Sequence, residues 1–158
     1  MPAKAPTSIG NTEYPQNIKI PANFTIPAGN VFKFQLSLAG FVWYICDTSS
    51  SDKWIEDQFR SVYFNSKDDI SGFPVSPAAV LDVRNDQYHV LSAIPEHDTS
   101  SMIVTVINDA PSSDPTKNYP SELVSVISTA GVGAFSNITY LILTATDGGV
   151  PPPKSDCK

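Results

Sequence analysis

From Val31 to Leu38 the chain alternates, with Phe32, Phe34, Leu36 and Leu38 on one side of an extended backbone and Lys33, Gln35 and Ser37 on the other. A period of two predicts a half-buried strand. The next segment, Phe41-Val-Trp-Tyr-Ile-Cys46, has no polar face. It predicts a central strand covered on both sides, with Trp43 and Tyr44 in the core and Ala39-Gly40 as a kink or tight turn before it. Ala79 to Arg84 and Gln87 to Ile94 flank Asn85-Asp86, two residues that tolerate the positive φ of a two-residue hairpin turn. Further strands are expected over Arg60 to Phe64, Met102 to Ile107, Leu123 to Ile127 and Ile138 to Thr146, the last ended by Asp147-Gly148-Gly149. No window keeps a 3.6-residue period for three turns; Ser51 to Phe59, with Trp54, Ile55 and Phe59, comes nearest and predicts a short helix.

Short strands separated by turn signals predict an all-β fold, an antiparallel β-sandwich or flattened barrel of about eight strands with long loops. Composition agrees: Val and Ile number 26 against 7 Leu and 4 Glu, residues that suit a pleated sheet over good helix formers. Organisation follows from where the apolar pattern stops. Residues 1–17 read as a flexible N-terminal arm, 18–149 as a single β domain, and 150–158 as a proline-rich tail, Val150-Pro-Pro-Pro, that cannot join a central strand. Asp109 to Pro120, with three prolines, reads as a long exposed connection.

Charge narrows the function classes. Charged residues are 16% of the chain, below the roughly 25% of an average protein, and the net charge is -6. No Lys/Arg run exists to track phosphates, which excludes nucleic acid as a partner. The longest apolar runs are far shorter than the roughly 20 residues that span a bilayer, so no membrane span is expected. Met1 to Thr7 lacks the apolar stretch of a signal peptide.

A search for chemistry is nearly empty. There is no nucleophile elbow, phosphate-cradling glycine loop or His-Glu-x-x-His pair, so no catalytic, cofactor-binding or metal residue is assigned. His89, His97, Glu96 and Asp98 read more simply as solvated polar residues than as metal ligands. Asp68-Asp69 reads as an exposed turn rather than an acid/base pair. Trp43, Tyr44, Trp54, Tyr63, Tyr88 and Tyr140 could line a ligand face, though core packing is the commoner use of such residues. Asn23-Phe-Thr25 and Asn137-Ile-Thr139 fit the N-glycosylation sequon, which matters in a secretory compartment. The two cysteines, Cys46 and Cys157, cannot make a structural zinc site alone. Joined within one chain they would close a loop of about 110 residues. Carried by its proline-stiffened tail, Cys157 could instead reach another molecule.

Read in order, Gly40-Phe-Val-Trp-Tyr-Ile-Cys46, Trp54, Gly131-Val-Gly-Ala-Phe135 before Ile138-Thr-Tyr140, and Thr146-Asp-Gly-Gly149 with Pro151 and Cys157 form a series of short motifs. The series resembles the octin family, the matrix proteins of vacuolar protein crystals in gravity-sensing fungi and their bacterial periplasmic relatives, from about Val31 to Cys157. Where the bacterial relatives carry a histidine and a tryptophan, the stretch Gly72 to Asp86 has Pro74 and Val80, so no ligand role is carried over there. The resemblance implies no catalysis and no cofactor. It implies a structural protein whose partner is itself, assembling into very large ordered homo-oligomers with disulfides between copies at Cys46 and Cys157. The expected place is a vacuole lumen, or a secretory or periplasmic space, where cysteines can pair. The alternative is a secreted β-sandwich that binds a carbohydrate or another small ligand.

Overall fold

The computed structural model describes residues 6–49, 52–71 and 75–158. Seven strands cross one antiparallel sheet in chain order: β1 (Ser37–Asp47), β2 (Lys53–Phe64), β3 (Ala79–Arg84), β4 (Gln87–Ser92), β5 (Ser101–Ala110), β6 (Ser121–Ala130) and β7 (Tyr140–Leu143). Each strand pairs with its neighbour in sequence, the arrangement that short connections favour. The sheet curls into a half-barrel, and the all-β antiparallel expectation holds. One short helix, α1 (Lys67–Ser71), follows β2. The hairpin between β3 and β4 lies where the sequence places it, with Asn85 at φ 50° and Asp86 at φ 59°.

Alternation decides which side chains meet. Leu81 opposes Val90, Val90 opposes Met102, and Val104 opposes Val126, so one apolar row runs across the inner face. Ile9, Ile94 and Phe135 close over it, with Phe34, Leu36 and Ile138 packed at its margin. The cover is chain with little regular structure that packs on the sheet through these side chains. Within the expected N-terminal arm, Asn11 bridges to Gln35, and Asn65 holds Gly10 N–H at 2.7 Å and Ser8 C=O at 2.8 Å. Residues 1–5 of that arm lie outside the described residues. A second cluster, Phe24, Ala110 and Leu123 with Ile26, Tyr140 and Ile142, packs the opposite face of the sheet near β7.

Three sequence expectations change. Val31 to Leu38 is not a full strand: β1 starts at Ser37, Val31 is 87% exposed, and Phe34 and Leu36 reach the core from a segment crossing it. Phe32 instead meets the Tyr14 ring, centroids 5.0 Å apart. Phe41 to Cys46 is a strand, but it stands at the sheet's edge, and its outward residues Phe41, Trp43 and Ile45 are 71%, 46% and 56% exposed. An all-apolar run therefore marks an uncovered outer face here, and Trp43 is not core. The expected helix over Ser51 to Phe59 is the first part of β2, with Ser51 itself outside the described residues. The register shifts between Trp43/Tyr44, leaving Asp57 as the extra residue on β2. That bulge puts Trp54 and Phe59 on one face despite their odd spacing, which imitates a helical period.

Candidate functional site

β1 and β2 carry the residues that matter most, on two different faces. On the inner face Cys46 lies opposite Trp54, and the C-terminal tail is lashed across this strip at three points. The tyrosine hydroxyl of Tyr44 donates to Gly149 C=O at 2.6 Å, Trp54 Nε1 donates to Pro153 C=O at 3.1 Å, and Cys46 and Cys157 are joined as a disulfide with Cα atoms 5.2 Å apart. Of the two pairings the sequence left open, the structure has the one within the chain. No free thiol is left for the bond between copies that the resemblance implies. The reason is that the three prolines aim the tail back along its own sheet, and Cys157 ends 3% exposed.

Beside the strap, the inner face holds a polar cluster that sequence reasoning missed. Tyr119 packs its ring on Phe59, and its hydroxyl oxygen lies 2.9 Å from Glu56 Oε2 and 2.8 Å from Glu122 Oε1. A phenol has one proton to donate, so both contacts are satisfied together only when one carboxyl is itself protonated. Burial, with the negative charges of Glu56 and Asp109, pushes Glu122 above its usual carboxylate range, against the hydrogen bond from Tyr119. Burial and the same two glutamates push the Tyr119 hydroxyl strongly upward. Among the described residues no ion pair reaches Glu56 or Glu122. No local signal reveals this cluster, because Glu56 and Tyr119 are 63 positions apart.

The outer face of β1 to β4 is different in character. Phe41 and Trp43 rings stand 5.8 Å apart, beside Ile45 and, on β2, Ile55 at 44% exposure. A shallow groove of about 580 Å³ runs from these aromatics over Val62, Val80 and Leu91. Its polar side is a short ladder in which Asp82 accepts from Arg60 at 3.2 Å and from Arg84 at 3.0 Å. These are exposed ion pairs, and they contribute little to stability.

The glycine-rich family-like motif is structural. Gly131, at φ 73°, and Gly133, at φ 150°, sit so close to the Thr99 carbonyl and the Asp98 carboxylate that a Cβ would fall within 2.1 and 2.2 Å of them. Asp98 is the post of this clamp: it accepts from Ser100 N–H at 2.8 Å, the Ser100 hydroxyl at 2.5 Å and Ala134 N–H at 2.7 Å. Burial opposes its charge, yet these hydrogen bonds prevail and hold it below the usual carboxylate range. Asp98 is thus 7% exposed and fully engaged, which corrects its reading as a solvated residue. The pattern Asp98-x-Ser100 is an Asx-turn signal that could have revealed it. His89 lies on β4 opposite Asp82 and Ile103, while His97 is in the exposed turn after Ile94. Among the described residues no three His, Cys, Asp or Glu side chains gather to hold a metal.

Both sequon asparagines, Asn23 and Asn137, are exposed. Asn23 already donates to Asp109 C=O at 3.0 Å, and the Thr139 hydroxyl donates to Asn30 Oδ1 at 2.5 Å. Asp68-Asp69 falls in the first turn of α1, where acidic residues favour a helix start. Tyr63 and Tyr88 pack at the main core and Tyr140 at the second cluster. No helix among the described residues is long and apolar enough to cross a membrane. No protein-family model, curated protein or solved structure matches the chain.

Proposed function

We propose that this is a self-assembling structural protein, with copies of the chain as its main partner, building large ordered bodies of the kind its octin-like motifs imply. The observation that carries the reading is the outer face of β1 and β2, where Phe41, Trp43, Ile45 and Ile55 are all at least 44% exposed and adjoin one another. A contiguous aromatic and aliphatic surface at a sheet edge favours burial against another molecule. Low charge content supports it, since few ions lose water when copies pack. The Cys46–Cys157 bond fits an oxidising lumen such as a vacuole. It braces each copy, and the contacts between copies are then non-covalent. The body acts by its density, as a sedimenting mass for gravity sensing, and needs neither catalysis nor cofactor.

The experiment is sedimentation velocity of the oxidised protein and of Trp43→Lys over a wide concentration range. Wild-type protein should pass to heavy species as concentration rises, and Trp43→Lys should stay a folded monomer. Equal sedimentation of the two would remove this face from the assembly. A second reading, a carbohydrate- or ligand-binding module, rests on the groove beside Phe41 and Trp43 with Arg60, Asp82 and Arg84 on its rim. It predicts a monomer at all concentrations whose tryptophan fluorescence changes with an added oligosaccharide.

A further inference from the structure

The two ends of the sheet are unequal. β7 is four residues long, whereas β1 is eleven, with no Lys, Arg or Pro in it and one charge, Asp47, at its end. The bulge residue, Asp57, belongs to β2, so β1 itself runs without interruption. β2 pairs with one side of β1. Among the described residues, no hydrogen bond reaches the backbone of Leu38 to Cys46 from the other side. Native proteins usually blunt such an edge with a short strand, a lysine, a proline or a bulge. β7 is blunted by its length, and β1 is not blunted.

We propose that β1 pairs edge to edge, antiparallel, with β1 of a second copy of this chain, so that two seven-stranded half-barrels share one continuous sheet. This rests on the self-assembly reading and names its first contact. A second copy is the fitting occupant for three reasons. An antiparallel edge is complementary to itself across a two-fold axis, because each strand presents the donors and acceptors the other lacks. The outward rows Phe41, Trp43 and Ile45 of the two copies fall on the same face of the joined sheet, where each covers apolar surface of the other. No charge lies between Ser37 and Cys46, so chains with a net charge of -6 can approach there without opposing like charges at the contact. The size of the contact sets its strength. Eleven residues are about half of the 20 to 30 per side in a stable interface, so the pair forms at high local concentration and serves as the unit from which other contacts extend the body.

Amide hydrogen exchange of oxidised full-length protein, dilute and assembled, tests this. In dilute protein every second amide between Leu38 and Cys46 should exchange quickly. On assembly these amides should slow by about tenfold or more, and Phe41→Lys, at an exposed position, should keep its melting temperature yet lose that protection. Assembly with the same amides still fast would overturn edge pairing and leave the self-assembly reading standing. Protection already present where the protein sediments as a monomer would mean that the chain covers its own edge, and overturns the proposal. A protein that stays monomeric throughout overturns both readings together.

Discussion

Glu122 and Asp98 show how single residues set opposite responses to acid. Glu122 is held above its ordinary value of 4.5, so the folded state binds a proton that the unfolded chain has lost. The stability this adds is fully present below about 4.5 and is lost as pH rises through the folded value. Glu122→Gln, neutral at every pH, should flatten that acid-side gain and be more stable than wild type at neutral pH by about 1 kcal/mol. Chemical denaturation at a series of pH values measures this, and an unchanged pH slope would contradict it. Asp98 has the other sign. Its carboxyl is held below 3.8, so its contribution is present above that value and is lost as pH falls through the folded one. Asp98→Ala leaves two N–H groups and a hydroxyl without their acceptor and should cost about 2–4 kcal/mol by the same measurement. Together the two carboxyls contribute most fully between about pH 3.8 and 4.5.

At the level of elements, β1 separates what a sequence states from what only a fold decides. The β3–β4 hairpin was legible because its turn, its flanking alternation and its register are all local. That Phe41 to Cys46 forms a strand was equally legible. Its place at the edge was not, since apolar residues on both faces fit a buried central strand as well as an edge strand awaiting a neighbour. In β2 the bulge at Asp57 hid the strand period. In the Val31 to Leu38 segment the alternation was real for Phe34 and Leu36, but it served a crossing over the core and not a ladder. The candidate site was legible only in its parts: Cys46, Cys157, Tyr44 and Trp54 could be named, but not their gathering under one strap. Trp43→Ala, at 46% exposure, should therefore cost no more than about 1 kcal/mol in thermal unfolding. A loss of 3 kcal/mol or more would restore Trp43 to the core.

Across the whole molecule, one disulfide and one net charge govern behaviour. Cys46 and Cys157 are separated by 111 positions, and a loop of that length restricts the unfolded chain by roughly 4–5 kcal/mol in the chain-entropy model. Cys157→Ser should lose stability of that order. Wild-type protein should run as a fast monomer on a non-reducing gel, and a ladder of linked copies would contradict the bond within the chain. The charge of -6 and sequence pI near 4.6 mean that copies repel at neutral pH and repel less as the net charge shrinks toward that pI. Assembly should then strengthen from neutral pH toward about pH 5. Static light scattering of oxidised protein at about pH 5, over rising concentration, reads the outcome directly. The account predicts a mass that grows far beyond the 17.1 kDa of one chain; a mass that stays at 17.1 kDa at every concentration would contradict it.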